Sequence, residues 1–178
     1  VYSDAASLQD AYKEFASQVK GFLFVESNIP LKGIKYSVSE EADFYIDGIR
    51  PNASGSYFDL HTPDGIYKNQ FFNQLGMHNL SNALVALAMA SKAGLLIEDL
   101  AESLASFPGV ERRLQVLINE KNRVLIDDYA HHPTEIKAVY ETLKLSFPAD
   151  EKCVVFQPHL FSRTQDFMTD FATTLSLF

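Results

Sequence analysis

Between Ile34 and Phe72 apolar side chains recur at every second position, and at Gly76 that period gives way to a spacing of three and four. A period of two belongs to strands, whose successive side chains face opposite ways, and a period near 3.6 belongs to helices. One stretch of the chain is therefore committed to sheet and the next to helix. The strand-like stretch falls into short runs: Ile34/Tyr36/Val38, Phe44/Ile46, Tyr57 or Phe58 with Leu60, and Ile66 to Phe72. Asn52 to Ser56 and Thr62-Pro63-Asp64-Gly65 separate them, the second a strong turn signal because Pro presets φ and Gly tolerates either sign of it. A small, mostly antiparallel sheet is expected. Upstream, Leu8, Tyr12, Phe15 and Val19 mark an amphipathic helix from Asp4 to Val19, and Gly21-Phe22-Leu23-Phe24-Val25 reads as a short buried strand.

After Gly76, the segment from His78 to Ala93 carries Leu80, Leu84, Leu87 and Ala88 on one helical face, with Gly94 placed to end the helix. Leu95 to Ser106 reads as a second, shorter helix. Phe107-Pro108-Gly109 couples a helix stop to a turn and marks a domain boundary, dividing the chain into 1–107 and 108–178. Beyond it the order is strand (Leu114 to Ile118), strand (Arg123 to Ile126), Pro-started helix (Pro133 to Leu145), buried strand (Cys153 to Phe156) and helix from Thr164 onward. That alternation implies a βαβ unit on a parallel sheet, so the fold class is α/β.

Hydrophobic residues make up 47% of the 178 and charged residues 21%, enough apolar mass for a packed core. The net charge of −8 excludes a surface that tracks a nucleic-acid backbone, which needs a basic stripe. It leaves nucleotide binding open, since backbone amides and one or two placed cations hold a phosphate. Cys153 is the single cysteine, so no disulfide forms within the chain and a reducing cytoplasm is the simpler setting. No stretch is long enough to span a bilayer, and the start lacks a signal pattern. Val1 at one end and an apolar helical pattern running to Phe178 at the other make the chain read as an internal piece.

Four segments carry chemistry. In Gly76-Met77-His78-Asn79-Leu80-Ser81-Asn82-Ala83, Asn79 and Asn82 share a face of the first helical turn, where carboxamides suit the edge of a purine; the plain alternative is that Asn79 caps the helix. In Arg112-Arg113-Leu114-Gln115, adjacent arginines beginning a strand face opposite ways, so one of them can clamp a phosphate; the alternative is a solvated or ion-paired couple.

The third and densest is Asp127-Asp128-Tyr129-Ala130-His131-His132-Pro133-Thr134-Glu135, between a strand and a Pro-started helix. In an open α/β sheet that is the carboxyl end of a strand, where ligands bind. It fits a metal site, a nucleotide and substrate loop, or a loop in which Asp128 and Thr134 only cap the helix. No third metal ligand stands at a convincing spacing, so ligand contact ranks above metal. The fourth, Gln157-Pro158-His159-Leu160-Phe161-Ser162-Arg163-Thr164, again follows a strand, and its His159 and Arg163 suit a carboxylate substrate; a helix start capped by Ser162 or Thr164 is the alternative.

In order and spacing these segments resemble the Mur ligase family over essentially the whole chain. Gly76 to Ala83 followed by Phe107-Pro108-Gly109-Val110-Glu111-Arg112-Arg113 is the pattern shared widely in that family. Asp127 to Ile136 with Gln157 to Thr164 is narrower and looks like the branch that adds L-alanine. The resemblance implies the distal half of a central ATPase domain with a small antiparallel sheet (1–107), then the first part of a truncated, Rossmann-like C-terminal domain that binds the amino acid (108–178), with ATP between them. It implies an ATP-dependent ligase that joins L-alanine to the carboxylate of UDP-N-acetylmuramate through an acyl phosphate, in cytoplasmic peptidoglycan precursor synthesis.

Carried over by residue, His78, Asn79 and Asn82 would border the adenine, Arg113 would approach the phosphates and Asp128 would hold the ribose hydroxyls. Tyr129, His131, His159 and Arg163 would line the substrate pocket, with His131, His159 and Arg163 catalytic and Arg163 on the alanine carboxylate. The chain departs from the family in containing no Gly-x-x-Gly-Lys-Ser/Thr loop. The Mg2+ ligands are expected upstream of Val1, no residue of this chain is assigned to metal, and the piece alone is expected to be catalytically silent. Neither nucleic acid nor membrane is an expected partner. The rivals are the family's recycling ligase, which attaches a whole peptide, and a non-catalytic nucleotide-binding module. Open sheet edges also make self-association an expectation.

Overall fold

The computed structural model describes residues 4–178. Its elements run α1 (Ala5–Gln18), β1 (Phe24–Glu26), β2 (Ile34–Ser37), β3 (Phe44–Asn52), β4 (Gly55–Thr62), β5 (Gly65–Phe72), α2 (Met77–Lys92), α3 (Ile97–Ser106), β6 (Gln115–Glu120), β7 (Arg123–Asp127), α4 (Pro133–Ser146), α5 (Phe161–Asp166) and α6 (Met168–Leu175). The architecture is mixed α/β, with a five-stranded sheet in the order β1-β2-β3-β4-β5 and a two-stranded sheet β6-β7. No helix among the described residues is long and apolar enough to cross a membrane.

The chain divides into two compact units, one of residues up to Ile49 with Phe58–Gln70 and Ser81–Ser103, the other of Arg50–Tyr57, Phe71–Leu80 and Leu104–Phe178. In the first, the alternation read from the sequence is realised. Val25, Phe44, Ile46, Phe58 and Leu60 are buried, and Ala83, Leu84, Leu87 and Ala88 of α2 are buried with them. Phe58, not Tyr57, is the inward residue of β4. The Lys92 ammonium lies 5.7 Å from the centre of the Phe44 ring, its stem covering the core while its charge stays outside. α1 begins at a capping box, in which the Asp4 carboxylate accepts the Ser7 N–H and Ser7 Oγ accepts the Asp4 N–H. Its apolar stripe is not covered: Tyr12 is 60% and Phe15 64% exposed.

The mostly antiparallel sheet expected from Ile34 to Phe72 is present, with parallel pairing confined to its first, short strands. Two-residue links join β3 to β4 and β4 to β5, a length only antiparallel neighbours allow. The Thr62–Gly65 link is held by Thr62 Oγ1, which accepts the Asp64 N–H and donates to the Gly65 carbonyl. β1, β2 and β3, however, pair in parallel, Phe24 opposite Ile34 and Tyr36 opposite Phe44. Parallel pairing ordinarily requires a long crossover because the chain must travel back the full length of a strand. Here the paired runs are three residues or fewer, about 10 Å at most, so residues 27–33 and 38–43 span the return without a helix.

The second unit departs further. β6 and β7 are antiparallel, with a register shift between Val116 and Ile118. Cys153 to Phe156, read as a buried strand of a parallel sheet, joins no ladder among the described residues, and Val155 is 98% exposed. An extended segment becomes a strand only when a neighbour takes its backbone donors and acceptors, and among the described residues no strand pairs with this one. α4 packs on α6, with Ile136 and Phe171 buried, Phe156 stacked on Phe171 at 5.2 Å and Tyr140 edge-on to Phe178 at 5.2 Å. The stretch leading into α2 belongs to this unit as well: Gln74 Nε2 donates to the Phe107 carbonyl at 3.2 Å, and the Phe72 and Phe107 rings stack at 6.2 Å.

Candidate functional site

β7 delivers Asp127 and Asp128 to a turn that ends where Pro133 opens α4. His132 caps that helix: its Nδ1 accepts the Thr134 N–H at 3.3 Å, while Glu135 Oε2 accepts the His132 N–H at 3.1 Å. Neither Asp128 nor Thr134 has the capping role considered for it. Asp128 does something else: Oδ2 accepts the Leu114 N–H at 2.8 Å and Oδ1 accepts the Ala130 N–H at 2.7 Å. One carboxylate thus ties the loop after β7 to the turn before β6.

That turn does not begin a strand at Arg112, as the sequence suggested. Arg112 and Leu114 both have left-handed φ, +57° and +48°, and the ladder starts at Gln115. The Tyr129 N–H closes the turn by donating to the Arg112 carbonyl at 2.8 Å. As a result the two arginines diverge. Arg112 lies over the Tyr129 ring at 4.7 Å, with Nε 3.8 Å from Asp127 Oδ2. Arg113 is the one whose charge reaches His78.

His78 is on the first turn of α2. Burial holds its imidazole below the usual 6.5; the Asp128 carboxylate pulls it back up and the Arg113 guanidinium pushes it down. His78, Arg113 and Asp128 are therefore one electrostatic cluster, although 50 residues of sequence separate the first from the last. Gly76 makes the approach possible: at φ +90° a Cβ there would sit 2.5 Å from Leu114 Cδ1 and 3.1 Å from His78 Cε1. Asn79 does not cap α2. Its Nδ2 donates to the Leu75 carbonyl at 2.9 Å, leaving Oδ1 without a protein partner among the described residues. Asn82 stands exposed one turn further along α2.

A cavity of about 640 Å³ opens beside this loop, lined by Arg112, Asp127, Asp128, Tyr129 and His131 together with Gln157 and His159, and by Ile136, Val139 and Phe156 on its apolar part. Of the two adjacent histidines, His131 lines it while His132 is turned to the helix start and packs edge-on to Phe167 at 4.8 Å. His131 Nδ1 lies 2.8 Å from the Tyr129 carbonyl and 3.4 Å from Glu135 Oε2. Burial pushes the Glu135 carboxyl upward, but N–H donation and positive charge from His131 and His132 hold it below its usual 4.5.

Tyr129, His131, His159 and Asp128 are thus brought together on one cavity. Arg163 is not among its lining residues; it lies in the first turn of α5, behind Leu160, whose φ is +75°. Among the described residues no group of three or more His, Cys, Asp or Glu could hold a metal ion. Sequence reasoning missed Arg112 and Glu135. The signal for Glu135 was present, since it stands three residues after the cap, the spacing of a capping box with His in the place of Ser or Thr.

Residues 18–90 match the family described as Mur ligase middle domain, and residues 112–177 match that described as Mur ligase, glutamate ligase domain. The chain is 46% identical over its full length to the UDP-N-acetylmuramate–L-alanine ligase of Christiangramia forsetii and equally so to that of Flavobacterium psychrophilum, covering 40% of each protein. It superposes on the crystal structure of the UDP-N-acetylmuramate–alanine ligase of Thermotoga maritima with a TM-score of 0.81, over 98% of this chain and 40% of that one, at 23% identity. That similarity establishes the fold. The chain spans about 40% of the length of the curated relatives it matches. With both family patterns on it in succession and its whole length aligned to such relatives, the chain belongs to the Mur ligase family.

Proposed function

We propose that this chain is the part of an ATP-dependent ligase that receives the nucleoside and the amino acid, in an enzyme that joins L-alanine to the carboxylate of UDP-N-acetylmuramate during cytoplasmic peptidoglycan precursor synthesis. The observation that carries the reading is the single cavity on which Asp128, Tyr129, His131 and His159 converge at the carboxyl end of β7. The division at Phe107 and Pro108 goes with it: residues 1–107 belong to the ATP-binding domain and 108–178 to the amino-acid domain, supported by family matches that fall on either side.

The residues fit a nucleoside. Burial favours the neutral imidazole of His78, and Asn79 presents an unpartnered carbonyl oxygen, an acceptor for the exocyclic amine of adenine, with Asn82 next along the helix. Each Asp128 oxygen accepts one backbone N–H and retains lone-pair capacity for a ribose hydroxyl. Arg113 approaches the phosphates. ATP supplies the phosphoryl group that activates the muramyl carboxylate, and Mg2+ is given no ligand in this chain. Tyr129, His131 and His159 line the space where amine meets acyl carbon. The alanine nitrogen attacks, the C–N bond forms, and the C–O bond to phosphate breaks with its electron pair leaving on phosphate. Positioning and charge neutralisation supply the rate.

The complete protein is assayed for ADP release with UDP-N-acetylmuramate and either free L-alanine or a tripeptide. The reading requires turnover with free L-alanine; turnover with the tripeptide alone overturns it.

A further inference from the structure

We infer that Glu135 is a positioning residue which holds His131 with hydrogen on Nδ1 and a lone pair on Nε2, so that Nε2 takes the proton released when the amide forms. For the identity of the amine this rests on the ligase reading; the tautomer does not.

The geometry leaves one arrangement of the ring. Nδ1 has two neighbours, the Tyr129 carbonyl oxygen at 2.8 Å and Glu135 Oε2 at 3.4 Å. Both are acceptors only, so Nδ1 must carry the hydrogen, and in a neutral imidazole the other nitrogen is then the acceptor. Nε2 has no protein partner among the described residues, and His131 lines the cavity. Glu135 is itself anchored, because the same oxygen that faces Nδ1 accepts the backbone N–H of His131 at 2.8 Å and of His132 at 3.1 Å. The carboxylate thereby holds the main chain by two hydrogen bonds and sets its charge 3.4 Å from the ring nitrogen that donates to the Tyr129 carbonyl.

As the amino nitrogen bonds to the acyl carbon and phosphate departs with the C–O pair, the nitrogen must shed a proton. Nε2 accepts it, and the resulting imidazolium lies between the Tyr129 carbonyl and the Glu135 carboxylate, which stabilise its charge. The other charged groups on the cavity are Asp127, Asp128 and Arg112, and His159 also lines it.

Glu135 is also the third residue of α4 and completes its capping box, a purely structural role that must be separated from this one. Gln at that place still caps. In the complete ligase, Glu135→Gln is expected to lower kcat about 100-fold, with KM for ATP and for UDP-N-acetylmuramate within about twofold and the melting temperature unchanged. Glu135→Ala loses the cap as well, so it is expected to lower both kcat and melting temperature. Wild-type kcat in Glu135→Gln alongside a lowered melting temperature in Glu135→Ala makes Glu135 a cap only and overturns the proposal. Independently, nitrogen-15 spectra of histidine-labelled chain are expected to report His131 protonated at Nδ1 and bare at Nε2; the reverse tautomer overturns it without substrate. Failure of the complete protein to use L-alanine, with that tautomer observed, sinks the ligase reading and leaves the Glu135–His131 pair standing.

Discussion

Replacing Gly76 by Ala tests how the start of α2 is brought against the turn before β6. An L-residue at φ +90° is strained by about 1–2 kcal/mol. The added Cβ would also stand 2.5 Å from Leu114 Cδ1, and Leu114, at 2% exposed, has nowhere to go. Forcing a methyl group into a filled site costs about 1–3 kcal/mol. Lost freedom of the unfolded chain returns about 0.4–1 kcal/mol. The net is a destabilisation of about 3 kcal/mol, read from the urea midpoint by far-UV circular dichroism. Gly94→Ala is the control, since its φ of +95° carries similar strain while nothing lies within 4 Å of the new Cβ. It should cost about 1 kcal/mol, so about 2 kcal/mol of the Gly76 effect belongs to the Leu114 contact. Equal losses in the two variants would refute the packing described here.

Asp128→Ala leaves the Leu114 and Ala130 N–H groups without their acceptor and is expected to destabilise by about 2 kcal/mol in the same titration. His78 has a native value below 6.5, so its stabilising contribution is complete above pH 6.5 and is lost as the pH falls from there through the lowered native value. The drop in urea midpoint between pH 7 and pH 5.5 should therefore be smaller in His78→Gln than in the parent chain. Leu84, 1% exposed in α2, should cost about 2–5 kcal/mol on truncation to Ala by chemical denaturation.

Periodicity made the first unit legible: Leu84, Leu87 and Ala88 are buried on α2, and Phe44, Ile46 and Leu60 on their strands, because burial of a face is what a repeat of 3.6 or two records. The parallel pairing of β1, β2 and β3 was not legible, since direction depends on how far the chain must return, which a pattern of side chains does not encode. Cys153 to Phe156 has the composition of a strand, but composition cannot supply the neighbour whose backbone would complete it. In the candidate site, the strand expected before His159 does not form among the described residues, whereas Asp128, Tyr129 and His131 were readable as polar residues of a loop after a strand. Which of His131 and His132 faces the cavity was not, because adjacent residues in a turn have no fixed facing; the helix start decided it by taking His132 as its cap. Arg112 escaped for a related reason: strand alternation said only that the two arginines face opposite ways, and the left-handed φ at Arg112 places that residue in a turn, where the alternation does not apply.

The loop between β7 and α4 is the heart of this account, and the most direct measurement on it is L-alanine-dependent ADP release by the complete protein with His131 replaced by Ala. The account predicts that the wild type releases ADP only when UDP-N-acetylmuramate and L-alanine are both present, and that His131→Ala slows this by about 100-fold or more while still folding. Undiminished, alanine-dependent turnover in that variant would contradict it.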